Sequence, residues 1–408
     1  MNILYIHQYF ATREGSTGTR SYEFAKYFVK KGHQVVVLTG DSFLSNFTPL
    51  KETRLTKEYE IDGIRVIAIK VNYSNYMNYF QRMLSFVKFM AYSSVTALGI
   101  KGIDLVFATS TPLTVAVPAL LMKWFRKKPY IFEVRDLWPE APVQIGAIKS
   151  RPLIRLLRWF EKLTYRNAEN IIALSPGMEE GVISTGISSN KVFMVPNCSD
   201  LDLFDPNDDD ETFRIRYDLE GKLVVAHGGS MGIANGLEYI IQAAKILQDL
   251  QEKRIVFILA GGGKTKPDLE KVAMQHRLTN VIFTDSLART EMPKVLACSD
   301  ITMTCFKNIP ILATNSPNKF FDSLAAGKPV IVNSPGWTKD IVERHGIGFY
   351  VDPERPEDLA NLLIQIQEKR DELKRMGAKA RALAEREYDR MLLAERVEKI
   401  IQGVGAKK

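Results

Sequence analysis

The stretch NSPNKFFDSLAAGKPVIVN, residues 315–333, decides how the chain is read. Locally it spells a helix followed by a strand. Ser316 is a good N-cap, and Pro317 suits the first helical position, where its missing N–H costs nothing. Gly327 can take the left-handed conformation beyond the helix end, Pro329 stops the helix, and Val330-Ile331-Val332 opens a buried strand. The N–H groups of Asn318 and Lys319 then point out of the helix start. With the positive end of the dipole and a lysine beside it, such a start is an anion site. Asp322 follows Lys319 by one turn on the same face, about 6 Å along the axis from Asn318. That offset suits a ligand with phosphate at the helix tip and ribose hydroxyls one turn in. A plain Ser-Pro cap and a solvated acid explain the segment equally well, so the rest of the chain has to decide.

A chain of 408 residues, 46% hydrophobic and 25% charged, has the composition of a globular protein with two or three domains. The three cysteines, Cys198, Cys298 and Cys305, lack metal-type spacing, and a reducing cytoplasm is the simple expectation. The opening MNILYIHQYF lacks the basic and apolar regions of a signal peptide, and no apolar run is long enough to span a membrane. Net charge is +8, and residues 120–166 alone carry eleven Lys/Arg against four acids. So local a basic patch points to an anionic partner surface.

Outward from the opening segment, short apolar runs alternate with helical patterns. Ile3–Ile6, Val35–Leu38, Ile64–Ile69, Asp104–Ala108, Tyr130–Val134 and Ile171–Leu174 read as strands of a doubly wound α/β domain. The polar stretch VPNCSDLDLFDPNDDDE (195–211) reads as a linker, after which Leu223–Ala226, Val256–Ala260, Val281–Phe283, Ile301–Thr304 and Gly348–Val351 repeat the pattern. The expected division is 1–198 for an N-terminal domain and 205–387 for a C-terminal one. Ligands bind such sheets beyond the carboxyl ends of their strands, so two facing halves imply a cleft.

Two glycine loops, GSTG (15–18) and GGSMG (228–232), follow a strand and lead into a helix. Neither fits G-x-G-x-x-G, and no Walker A pattern occurs, which disfavours dehydrogenases and P-loop ATPases. Bare N–H groups there can still approach a phosphate. The acids at 200, 202 and 208–210 have no histidine nearby and are expected to be solvated rather than metal-binding. His7 and His227 follow strands and are read as structural. No Ser/His/Asp order stands out.

With these residues in view, the C-terminal half resembles the retaining glycosyltransferases of the GT-B fold, family 4. Their hallmark is an acid eight residues before a second acid, in a helix followed by Gly-x-Pro-Val. FFDSLAAGKPVIV matches the second part, with Asp322 where the ribose-binding glutamate usually stands. SPNKFFD is most similar to the bacterial surface-polysaccharide branch, including transferases of fucosamine-type amino sugars. VPNCSDLDLF (195–204), LAGGGKTKPDLEKVA (259–273) and the N-terminal HQYF…GSTGTRSYEFAKYFVKKGHQVVVLT also resemble family motifs. The first acid is replaced by Thr314, so its contact to donor-sugar hydroxyls must come from elsewhere, with Asn315 or backbone as candidates. The Arg and Lys usually offered to the diphosphate are missing from GGSMGIANG, and the usual His-Asp of the N-terminal domain reads Arg135-Asp136.

The resemblance implies a nucleotide sugar, most simply UDP-linked, as donor, with no cofactor or metal. It assigns Gly15, Gly18, Gly229, Ser230, Asn315, Ser316, Pro317, Asn318, Lys319 and Asp322 to the donor, and catalysis to Lys319 and Asp136. No protein nucleophile is evident, so same-face displacement with retention is the implied mechanism. The final helix, about 388–402, is expected to cross back to the N-terminal domain.

On the acceptor or membrane side stand Arg135, Glu140, Arg155, Arg158 and Lys162. Residues 72–95 are loaded with Tyr, Phe and Met and are expected to be core. In RPLIRLLRWFEKLTYR (151–166), Arg151, Arg155, Arg158, Lys162 and Arg166 form one stripe, with Leu153, Leu156, Leu157, Phe160 and Leu163 opposite. The stripe is either a solvated face or a contact to an anionic membrane, where a cytoplasmic enzyme would meet a lipid-linked saccharide at the inner face. A nucleic-acid partner is disfavoured because no recognition motif accompanies the patch. A nucleotide-sugar epimerase on the same fold is the alternative, though the sequence offers few of the cleft acids and histidines it would need.

Overall fold

The computed structural model describes residues 1–74, 76–207 and 212–405. It divides into two units, Met1–Pro196 with Met391–Lys408, and Asn197–Arg390.

The first unit is built on β1 (Asn2–Ile6), β2 (Gln34–Gly40), β3 (Lys51–Glu52), β4 (Thr56–Ile61), β5 (Ile64–Ile69), β6 (Leu105–Thr109), β7 (Tyr130–Val134), β8 (Asn170–Ala173) and β9 (Val192–Met194). Their order in the sheet is β3-β4-β5-β2-β1-β6-β7-β8-β9. Only β3–β4 and β4–β5 pair antiparallel. The strand order reverses direction at β1, between β2 and β6, and ligands favour the carboxyl ends of strands at such a switch. β6 and β7 are buried along their whole length, as parallel strands covered on both faces must be. The sequence reading missed β4 because Lys57, Glu58 and Glu60 mask the buried Tyr59 and Ile61. Charge on a strand beside the sheet edge is the usual protection against stray pairing.

Residues 72–95 are not simply core. Asn78 caps the helix Tyr79–Gly99 in a capping box with Gln81, and Phe86, Phe89 and Ala97 are buried. Phe80, Leu84, Val87 and Val95 are exposed on the same helix. The last helix, Arg390–Gly405, buries Leu393, Ala394, Val397 and Ile401, and Glu398 lies 3.3 Å from the His33 ring of the first unit. No described helix is long and apolar enough to cross a membrane.

The second unit carries β10 (Leu223–Gly228), β11 (Ile255–Ala260), β12 (Val281–Thr284), β13 (Ile301–Thr304), β14 (Val330–Val332) and β15 (Gly348–Tyr350). The sheet is parallel throughout, in the order β12-β11-β10-β13-β14-β15. Its switch falls between β10 and β13. His227 sits near the end of β10, and the chain after β13 runs through a 3₁₀ turn, Pro310–Thr314, into the helix Asn318–Ala325. The fold thus brings residues 315–333 to the switch point.

The acids of the 195–211 stretch are not all solvated. Asp200 is buried and paired with Arg289 and Arg390, each at 2.6 Å. Residues 208–210 lie outside the described residues. The segment also runs beside the far end of the unit: Ser199 donates to the Tyr388 carbonyl at 2.8 Å, and Arg390 to the Ser199 carbonyl at 3.2 Å.

Candidate functional site

The helix Asn318–Ala325 starts one residue later than its sequence suggests, with Pro317 at the N-cap and no side-chain cap. Ser316 is not the cap because its hydroxyl accepts the backbone N–H of Asn197 at 3.1 Å, and its carbonyl accepts the Asn197 amide. The helix start therefore keeps unfilled N–H groups, which suits an anion better than a capped one would. Gly327 takes φ +61° past the helix end, and β14 follows, buried throughout. Asn315 gives its carbonyl to the Trp337 indole at 2.6 Å. Thr314, where the family has its first acid, turns its hydroxyl to the Ile311 carbonyl at 2.7 Å.

Lys319 is half-buried beside His227. The His227 Nδ1 lies 3.0 Å from the Met303 carbonyl and so carries the ring proton, leaving Nε2 to accept the Lys319 ammonium at 3.0 Å. Burial, then the nearby Lys319 charge, hold the imidazole well below its usual pKa, so it is neutral. Burial likewise lowers Lys319 to about 8, against smaller upward pulls from Cys305 and Asp322. Gly229 covers this lysine: a Cβ there would stand 3.6 Å from Lys319 Cε, and its φ is +120°. The Gly229 carbonyl packs so close to Gly261 that a Cβ on the latter would stand 2.0 Å away. Two glycine turns thus meet backbone to backbone, leaving Ser230 exposed beside them.

Asp322 is neither solvated nor open-handed. Both its oxygens accept from Arg289, Oδ2 from Nη1 and Oδ1 from Nη2, each at 2.6 Å. Nη2 also reaches Asp200 at 2.6 Å, and Arg390 bridges Asp200 to Asp202 at 2.6 and 2.8 Å. Burial pushes the Asp322 carboxyl up and outweighs the pull of Arg289. For Asp200, with cations on both sides, Arg289 and Arg390 overcome burial and the pKa falls. Sequence reasoning missed Arg289 entirely. It is 33 positions from Asp322, and nothing in ARTEMP marks it.

In the first unit, Gly15 and Gly18 lie in the loop between β1 and the helix Arg20–Lys30, which also starts without a side-chain cap. Just past β7, Asp136 accepts the Thr111 hydroxyl at 3.1 Å, and burial raises its carboxyl. The Arg135 N–H donates to the Ser110 hydroxyl at 2.9 Å. His7 lies 2.8 Å from Ser21 and is held well below its usual pKa, by burial first and Arg135 second.

The basic helix, Arg151–Asn167, does not bury its leucine side as a helix packed by its apolar face would. Its buried residues are Glu161, Thr164 and Tyr165, whereas Leu156 is 56% and Trp159 60% exposed. Arg155 is exposed, Lys162 partly so, and Arg158 pairs with Glu140 at 3.0 Å. Trp124, whose indole reaches Asn167 at 3.4 Å, and Phe125 add exposed aromatic surface next to it. Basic and apolar groups are thus presented together.

Among the described residues, no group of three or more His, Cys, Asp or Glu could hold a metal ion. The second unit offers a lysine, bare helix N–H groups and an oriented carboxylate around one strand switch. Such a set can hold a diphosphate and a diol.

Residues 15–198 match the model of a glycosyl transferase 4-like domain, and residues 209–383 that of glycosyl transferases group 1. An Escherichia coli (strain K12) protein named as a colanic acid biosynthesis glycosyl transferase, WcaI, is 26% identical over 238 residues, 56% of this chain and 58% of that one. The match thus spans little more than half of that relative's length. Among solved structures, a sucrose-phosphate synthase from Thermosynechococcus elongatus aligns with a TM-score of 0.78 at 15% identity, over 100% of both chains. HepE of Anabaena, solved with UDP-glucose, aligns with a TM-score of 0.75 at 18% identity, over 99% of this chain and 100% of that one. These likenesses speak for the fold, two Rossmann-like sheets of the GT-B type. One model falls on each half of a chain with that fold, and the chain belongs to the group 1 glycosyltransferases, family 4.

Proposed function

We propose that the protein transfers a sugar from a UDP-sugar to a lipid-linked saccharide with retention of configuration, in cell-surface polysaccharide (O-antigen or capsule) synthesis at the inner membrane face. The sugar is of the N-acetylated amino or deoxyamino type, as the likeness of SPNKFFD to the fucosamine branch suggests. The observation that carries the reading is the helix Asn318–Ala325, which sets Lys319 and Asp322 one turn apart on one face beside the Gly229 turn.

In this reading the helix N–H groups and Lys319 receive the diphosphate, and Asp322 accepts the ribose hydroxyls. As the glycosidic bond breaks, its electron pair leaves with the diphosphate, whose oxygen takes the proton of the acceptor hydroxyl attacking on the same face. Preorganised positive charge at the leaving group is then the main catalytic term. Support for a surface-polysaccharide role comes from the name of the E. coli relative, and support for UDP from the ligand of HepE. The exposed Leu156 and Trp159 beside Arg155 and Arg158 support a membrane-facing acceptor side.

A thermal-shift screen of nucleotide sugars tests the reading, followed by incubation with the best binder alone. Stabilisation by UDP-sugars with slow release of UDP is expected. Formation of an epimer without acceptor would make the protein an epimerase instead.

A further inference from the structure

Arg289 lies outside every segment that the sequence singles out, yet it touches the donor-side acid directly. Its planar fork meets both oxygens of Asp322 at 2.6 Å, which fixes that carboxylate in rotation as well as in place. Each oxygen keeps a further acceptor site, so two hydroxyls can still be received. Arg289 is in turn held from behind. Asp200 takes its Nη2 at 2.6 Å and is itself gripped by Arg390 at 2.6 Å, while Ser199 donates to the Phe321 carbonyl at 2.8 Å. The Asn197–Asp200 segment therefore secures both the helix that carries Asp322 and the arginine that faces it.

We propose that Arg289 is a positioning residue for nucleotide binding, holding Asp322 ionised and aimed at a vicinal diol. The inference rests on the assignment of Asp322 to ribose made above. Its physical need is plain. The charged groups facing Asp322 are Arg289, Asp200 and Lys319; burial and Asp200 favour the protonated acid, and Arg289 and Lys319 oppose them. Without Arg289, two buried acids would face each other with one cation fewer. A proton would then be taken up nearer neutral pH, and a protonated carboxyl is a poorer acceptor for two hydroxyls.

The test is UDP affinity by calorimetry from about pH 5 to about pH 8 for the wild type, Arg289→Gln, Arg289→Lys and Asp322→Asn. Arg289→Gln should weaken UDP about tenfold at neutral pH, and the loss should grow as pH falls. Arg289→Lys restores charge without the fork, so it should stay severalfold weaker yet lose the added pH dependence. Asp322→Asn should be weak at every pH. Unchanged or tighter binding by folded Arg289→Gln, with Asp322→Asn weakened, would overturn the proposal and make Arg289 a competitor of ribose. Should Arg289→Gln fail to fold, wild-type affinity in Arg289→Lys overturns it equally. Wild-type affinity in Asp322→Asn would instead remove the ribose assignment itself.

Discussion

The Lys319 ammonium is hydrogen-bonded at 3.0 Å to a histidine, His227, that is itself fixed as a neutral acceptor by the Met303 carbonyl. An acid in the same place would neutralise the lysine. A neutral imidazole aims the ammonium while leaving its charge available to the diphosphate proposed to bind there. Because charge on the diphosphate grows as the glycosidic bond breaks, Lys319 should matter more in the transition state than in the ground state. Lys319→Ala is expected to lower kcat strongly while KM moves less, measured by steady-state kinetics. A large KM effect with normal kcat would assign the lysine to substrate binding.

The same lysine should give the enzyme a basic pH limb. Its pKa is lowered to about 8, so the ammonium is present below that value and lost above it. The kcat/KM of the wild type should therefore fall as pH rises through about 8, and the limb for kcat should lie higher, because bound diphosphate restores the proton. Lys319→Arg should abolish the limb. Its persistence in that variant would assign it to another group.

Asp322 is part of a buried ion pair, so its removal has two effects that need separate measurements. Asp322→Ala leaves Arg289 facing Asp200 alone and is expected to cost about 3–5 kcal/mol of stability, read from denaturant unfolding. Asp322→Asn keeps the shape and should fold better, while weakening UDP by roughly 1.5–3 kcal/mol in calorimetry. An Ala variant as stable as the wild type would show that the pair adds nothing to the fold.

Full activity is expected in excess chelator, since a lysine and helix N–H groups can balance the diphosphate without a cation. Activity that is lost in chelator and restored by magnesium or manganese would contradict this.

Liposome co-sedimentation is expected to require anionic lipid and to weaken with salt. Changing Arg155, Arg158 and Lys162 to Glu should abolish it with UDP binding intact. Because Trp159 is 60% exposed, Trp159→Ser should also weaken binding, and it should do so at high salt as well. A wild type that ignores anionic vesicles at low salt would reduce the stripe to a solvated helix face.

The strands that build the two sheets are legible because buried parallel strands leave near-continuous apolar runs, as in Val35–Leu38 and Val256–Ala260. The helix beginning near Asn318 is legible from Ser-Pro before it and Gly after it. β4 is not, since its charged face hides the alternation, and β9 is only three residues long. The acids show where local reading ends. Asp200 looks solvated among its neighbours, and the cations that bury it stand 89 and 190 positions away. Likewise Ser316 loses its capping role to Asn197, 119 positions distant. Period and punctuation are local properties, whereas pairing across the fold is not.

The two units differ in how they can be cut from the chain. Asn197–Arg390 is one uninterrupted run, so the second unit can be expressed as a single fragment. The first is not: a fragment stopping at Pro196 would lack the last helix and bare the surface that Leu393, Ala394, Val397 and Ile401 cover. Such a fragment should aggregate alone and recover on addition of a peptide spanning Met391–Gly405, or by fusing that helix through a flexible linker. Any dissection of donor from acceptor binding would have to begin with that graft.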